Sequence, residues 1–210
     1  MRVLIVSGGE APSKGLFWGL YRPGDILIGA DKGAEFFLQE GVTPDLLLGD
    51  FDSISPETLS FFEGKCRILR FAAEKDFTDT EAAYQEALTW HPQEIYLLGC
   101  TGTRLDHFLG NLSLLDRAEK AGIRAYLQDD HNKIFILGKS GKICKDFGDY
   151  VSFQAYGGPV ENFGLRGTQY PLEDYTLRLG DPRTVSNVIT GEEMEVSFSA
   201  GTLLVLLTRD

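Results

Sequence analysis

The chain has 210 residues, 43% hydrophobic and 24% charged, which suits a globular protein with one large core or two modest ones. A formal net charge of -11 argues against a nucleic-acid binder, since no cluster of Lys and Arg is present to neutralise a phosphate polymer, and no run approaches the roughly 18 apolar residues of a membrane span. Cys66, Cys100 and Cys144 are odd in number and far apart, as expected of reduced thiols rather than a disulfide framework or a zinc knuckle.

Val3 to Val6 opens the chain as a buried strand and runs directly into Ser7, Gly8 and Gly9. It lacks the long apolar region and small-residue cleavage site of a signal peptide, so a cytoplasmic protein is expected. Glycines after a strand either form a turn or offer backbone N–H groups to an anion. Ile26 to Ile28 is the next strand, followed by Gly29-Ala30-Asp31-Lys32-Gly33 and a short helix over Lys32 to Glu40. Leu46 to Leu48 leads into Gly49-Asp50-Phe51-Asp52-Ser53, and a second short helix covers Pro56 to Phe62.

Two carboxylates one residue apart on a tight loop can both turn toward one Mg²⁺, which takes one or two carboxylates, waters and substrate phosphates. The alternative is that Asp50 and Asp52 are turn formers before the helix at Pro56. Like charges about 4 Å apart repel by roughly 4 kcal/mol at an effective dielectric of 20, so a buried pair calls for a cation or a proton between them.

Ile68 to Phe71 reads as a fourth buried strand, and Asp76 and Asp79 follow it. Thr78-Asp79-Thr80-Glu81 has the pattern of a capping box opening a helix through Ala83, Ala87 and Trp90. Asp79 suits a helix-dipole role as well as a functional one, whereas Asp76 lies outside the helix. Ile95 to Leu98 runs into Gly99-Cys100-Thr101-Gly102-Thr103-Arg104. Thr101, Gly102 and Thr103 offer N–H groups to an anion, and the Arg104 guanidinium either pairs with phosphate oxygens or forms a salt bridge to Asp106. From Leu105, the residues Phe108, Leu109, Leu112 and Leu115 keep helical spacing, with Asp106, His107 and Asn111 on the first turns. Ala125 to Leu127 is a sixth strand.

Strand and helix in alternation predict a parallel sheet wrapped by helices in three layers, with the five polar clusters at its carboxyl edge, where such sheets bind ligands. After about Asp129 the helical period disappears. Ile134 to Leu137, Tyr150 to Tyr156, Met194 to Phe198 and Leu203 to Thr208 predict an all-β domain, which gives domains at 1–129 and 130–210, with a short β extension of the same core as the alternative. No Ser-His-Asp pairing, zinc site or P-loop is found, and Cys100 reads as a small apolar filler.

These motifs, in this order, resemble the thiamine pyrophosphokinase family. The resemblance rests on Ala30 to Ala34, Gly49 to Ser53, Lys75 to Glu81, and Gly99 through Arg104-Leu105-Asp106-His107 to Asn111. It continues through Gly164-Leu165, Tyr170-Pro171-Leu172 and Val185-Ser186-Asn187. It implies an α/β domain followed by a β-sandwich, in a homodimer with active sites between subunits, and transfer of a pyrophosphoryl group from MgATP to thiamine with release of AMP. By the same resemblance Asp50, Asp52 and Asp79 match the metal carboxylates, and Asp31 and Asp76 match further acidic positions. Arg104 and Asp106 match the glycine-loop motif facing nucleotide and substrate, and Ser186 and Asn187 match contacts to the thiamine pyrimidine. Lys32 departs from the family pattern. The chemistry agrees with the residues, since phosphoryl-type transfer needs positioning and charge neutralisation rather than a covalent nucleophile, and an acidic mouth attracts a thiazolium cation. Rival readings are pyrophosphoryl transfer to a hydroxymethylpterin, a glycosyltransferase using Asp50 and Asp52, and a nucleotide-sensing module without turnover.

Overall fold

A computed structural model describes residues 1–210 except Ala73 and Thr103. Two compact units, Met1–Asp130 and His131–Asp210, divide the chain.

The apolar runs of the first unit become β1 (Arg2–Val6), β2 (Ile26–Ala30), β3 (Leu46–Gly49), β4 (Arg67–Arg70), β5 (Glu94–Leu98) and β6 (Arg124–Gln128). They pair in parallel in the order β4-β3-β2-β1-β5-β6. Helices cover both faces, which is why the central strands carry unbroken apolar residues, with Val3, Leu4, Ile5 and Val6 fully buried. On one face Leu4, Val6, Leu27, Leu47 and Leu98 pack with Phe17 of α1 (Lys14–Leu20), Phe37 of α2 (Gly33–Glu40) and Phe62 of α3 (Pro56–Phe62). The helices α4 (Asp79–Leu88) and α5 (Leu105–Lys120) contact each other and the sheet but contribute nothing to that cluster, so they form the third layer.

Ser13, Ser55 and Thr78 cap α1, α3 and α4 by accepting the N–H of Leu16, Thr58 and Glu81. The first of these helices was not anticipated from sequence, because Gly15 and Gly19 weaken its helical signal. Helix α4 stops at Leu88 instead of running to Trp90, and His91 just beyond has a left-handed φ of 50° before Pro92. The expectation of a buried fourth strand is corrected. As the edge strand of this sheet, β4 leaves Arg67 and Arg70 exposed and Ile68 and Leu69 half-buried.

Seven strands make the second unit: β7 (Asn132–Leu137), β8 (Gly141–Cys144), β9 (Tyr150–Ala155), β10 (Val160–Arg166), β11 (Leu172–Leu177), β12 (Glu193–Ser197) and β13 (Leu203–Thr208). Antiparallel pairing gives β7-β13-β9 and β11-β10-β12-β8. The sheets face each other across a single apolar core in which Phe153 and Phe163 meet edge to face, ring centroids 5.6 Å apart. Three of these strands, β8, β10 and β11, have no clear sequence signal. In β8 only Ile143 is buried, while Asn162 and Asp174 break the alternation of β10 and β11 with φ of 52° and 48°.

Candidate active site

The strand order reverses at β1, whose two neighbours β2 and β5 lead the chain in opposite directions. Such a switch point opens a crevice at the carboxyl ends of the strands. Here the glycine loops after β1 and β5 are zipped together: Ser7 N–H donates to Leu98 O, Gly9 N–H to Gly99 O and Glu10 N–H to Thr101 O, each at 2.8 Å. Only glycine permits this approach. A Cβ on Gly9 would stand 2.2 Å from Thr101 O, and one on Gly99, whose φ is 64°, 2.4 Å from Ser7 O. The N–H groups of Ser7 and Gly9 are thus committed to the backbone, so of the two readings of this loop, turn or anion site, these two amides follow the first.

The crevice encloses about 540 Å³. Ser7, Gly8, Gly9, Thr101 and Gly102 line one side, and Asp31, Asp50, Lys75 and Asp79 another. Arg104, His107 and Asn111 close it from the start of α5. Asp52 lies outside this wall but belongs with Asp31 and Asp50 to a set of carboxylates whose oxygens fall within 4.8 Å of one another. Asp76 is exposed and does not line the cavity, and Asp106 is exposed beside Arg104. Thr103 lies outside the described residues.

Two left-handed residues shape the loops that carry the three carboxylates. Asp31 and Phe51, non-glycine residues, sit in the left-handed region at φ 54° and 61°. Ser53 Oγ donates to Asp31 Oδ2 at 2.9 Å, while Asp31 Oδ1 is buried with no hydrogen-bond partner among the described residues. Burial pushes the Asp31 carboxyl above the usual carboxylate range, against the lowering effect of Ser53, with Asp79, Asp50 and Asp52 adding like-charge repulsion. Asp50 is shifted the other way, chiefly because Asp52 N–H donates to its Oδ1 at 3.2 Å, with Lys75 assisting. A buried acceptor without a donor, among converging all-oxygen ligands, is the donor set that suits a hard divalent cation.

The expected metal set joined Asp79 to Asp50 and Asp52, but the carboxylate that joins them here is Asp31. Asp79 is hydrogen-bonded instead to Lys75 Nζ at 2.7 Å, which also lies 3.6 Å from Asp50 Oδ2. Burial lowers the Lys75 pKa, but Asp79 and Asp50 outweigh that and raise it overall. No role had been drawn for Lys75 from sequence, although its place four residues before Asp79 in the capping motif was a signal for the pair. Thr80 was missed too: its Oγ1 donates to Ser7 Oγ at 3.0 Å, stitching the start of α4 to the first glycine loop.

Of the two readings of Arg104, the salt bridge is the one seen: Nε and Nη2 donate to the two Asp106 oxygens at 3.2 and 2.6 Å. This pairing holds the Asp106 carboxyl down at about 2. Asn111 is buried and its Nδ2 donates to Cys100 O at 3.2 Å, so it anchors the second glycine loop from α5. Cys100 is buried in this loop, its thiol pushed up to about 12 by desolvation, and it offers no nucleophile.

In the second unit, Ser186 is exposed at φ 57° with its N–H donated to Ser152 Oγ. Asn187 is buried, and its side chain is spent internally. Its Oδ1 accepts from Tyr170 N–H and Val188 N–H at 3.0 and 2.8 Å, and its Nδ2 donates to Tyr170 O at 2.7 Å.

The models of two families match the chain. The thiamin pyrophosphokinase catalytic domain matches residues 18–127, and the thiamin pyrophosphokinase vitamin B1 binding domain matches residues 140–203. The chain belongs to the thiamin pyrophosphokinase family. Among curated relatives, thiamine pyrophosphokinase from Bacillus subtilis is 34% identical over 188 residues, 88% of each protein. The crystal structure of a thiamine pyrophosphokinase from the same organism superposes with a TM-score of 0.91 at 31% identity over the whole of both chains. A family protein from Enterococcus faecalis gives 0.87 at 32%, again over both whole chains. Yeast thiamin pyrophosphokinase, at 14% identity and a TM-score of 0.82 over 98% of this chain and 85% of its own, shares the fold. Membership makes the chain a diphosphotransferase, and the converging carboxylates at the switch point agree with that chemistry.

Proposed function

We propose that this chain transfers the pyrophosphoryl group of ATP to the hydroxyl of thiamine, releasing AMP and thiamine diphosphate. The observation that carries the reading is the convergence of Asp31, Asp50 and Asp52 around a partnerless buried oxygen at the switch point of a family member's sheet. These three carboxylates would hold Mg²⁺, which when bound neutralises phosphate charge and polarises the transferred group. Asp79 stays in the site through Lys75, and Asp76 flanks it on the loop before α4. Ser7, Gly8, Gly9, Asp31, Thr101 and Gly102 form the nucleotide side. Arg104 exchanges Asp106 for phosphate oxygens, a planar fork suited to either.

Asp106, His107 and Asn111 are the thiamine contacts proposed for the first unit, and Ser186 and Asn187 those proposed for the β unit. Since the Asn187 amide is occupied, its part is to hold Ser186 and Tyr170 in place. We also propose a cytoplasmic homodimer with active sites between subunits. Leu105 and Leu109, 69% and 64% exposed one helical turn apart beside the crevice, form an apolar stripe that a second subunit would cover. Sedimentation of a monomer at every concentration would remove the dimer.

Incubation with MgATP and thiamine tests the reaction, with formation of AMP and thiamine diphosphate expected. AMP release with a hydroxymethylpterin but not with thiamine would overturn the acceptor. ATP binding without turnover would leave a nucleotide sensor.

A further inference from the structure

Lys75 is the sheltered cation of the crevice. Its side chain is 10% exposed, and its Nζ touches Asp79 at 2.7 Å and Asp50 at 3.6 Å. The rings of Phe71 and Phe77 stand 5.6 and 6.0 Å away, so two π faces and two carboxylates fix the ammonium in place. Arg104, the other permanent cation on the cavity wall, is 68% exposed and already paired with Asp106. A charge held away from water acts more strongly than one in it.

Asp50 faces two ways. Its Oδ1 accepts the Asp52 N–H and its Oδ2 faces Lys75, while its carboxylate belongs to the cluster with Asp31 and Asp52. One carboxylate therefore separates a corner suited to a divalent ion from an ammonium. In two-metal phosphoryl transfer, two ions close together clamp the attacking and leaving oxygens.

We propose that Lys75 is a catalytic residue standing where a second metal ion would otherwise be needed: the carboxylates take one divalent ion, and Lys75 supplies the other positive charge to the transferred group. The proposal rests on the pyrophosphoryl-transfer reading. In that reaction the acceptor hydroxyl oxygen bonds to the β-phosphorus of ATP as the bond from that phosphorus to the α,β-bridging oxygen breaks. The electron pair leaves with AMP, and the hydroxyl proton passes to a carboxylate or to solvent. Lys75 keeps its protons throughout and contributes charge to the non-bridging oxygens, with Asp79 as the positioning residue that aims it.

The test counts Mn²⁺ bound to the substrate-free protein by electron paramagnetic resonance, with Asp50→Asn as background, alongside AMP release. Wild type should bind one ion in the crevice and Lys75→Met two, because the vacated Asp50 and Asp79 carboxylates then accept another. Lys75→Met should lose on the order of 10²-fold in kcat with little change in thiamine KM, and regain part of it as Mg²⁺ is raised. Lys75→Arg should keep the single ion and a larger share of the rate, as a purely structural role would not require. Two ions in wild type, or an unchanged count in Lys75→Met, would overturn the proposal. The ion count needs no substrate, so failure of wild type to release AMP would remove the thiamine reading while the count still decides whether Lys75 replaces an ion.

Discussion

The carboxyl edge of the parallel sheet and the Ser186–Asn187 turn of the β unit are built on the same backbone device. Asp31 and Phe51 in the first and Ser186 in the second hold left-handed φ values of 54°, 61° and 57°. Their polar atoms are treated in opposite ways. Asp31 Oδ1 is buried without a donor among like charges, whereas Asn187 satisfies its amide three times within its own unit. The first arrangement leaves an acceptor that a bound cation would complete. The second is complete on folding and works by fixing its neighbours.

The largest effect should come from the incomplete side. Asp50→Asn and Asp52→Asn should each lower turnover by about 10²–10³-fold, the usual scale for removing an aimed electrostatic group, while circular dichroism stays unchanged. Near-normal AMP release in both would return the pair to turn formation.

On the complete side the loss should appear in stability. Asn187→Ala removes three hydrogen bonds and strands the Tyr170 backbone, at a cost of about 3 kcal/mol by urea unfolding. Ser186→Ala, exposed on the next residue, should stay within about 1 kcal/mol of wild type. Equal losses from the two substitutions would erase the contrast between a buried tie and the group it presents.

The smallest effect has the opposite sign. Because the folded-state pKa of Asp31 is raised, the folded protein holds that proton more tightly than the unfolded chain. Stability from this group is full below the ordinary value of 3.8 and is lost as pH rises through the raised folded value. Asp31→Asn abolishes that loss and keeps a side chain that tolerates the left-handed backbone. Metal-free Asp31→Asn should melt a few degrees higher than wild type at pH 7, about 2–4 °C for each kcal/mol recovered, and the gain should shrink toward pH 3. A lower melting point at pH 7 would mean that the Asp31 charge is already compensated.

The parallel strands β1, β2, β3 and β5, though not their order, and the polar clusters behind them were legible because a strand buried on both faces must be apolar throughout, and a ligand edge must be polar. Helix α1 and strands β8, β10 and β11 were not, since glycines and polar residues in them break the period that reports burial. Asp50 and Asp52 stood out as neighbours in sequence. Asp31 was noticed only as one more acid at the edge, and its junction with them depends on β2 lying beside β3, a pairing that no local pattern records.

The sequence by itself determined the kinds of groups available, their place after strands, and the family, because periodicity and motif order survive in one dimension. Tertiary structure alone decided which of those groups meet. It spent the Ser7 and Gly9 amides on a neighbouring loop, placed Lys75 between Asp50 and Asp79, and left Asp31 Oδ1 without a donor. The physical reason is that hydrogen bonding and charge compensation act over about 3–4 Å in space, a range that chain separation does not encode.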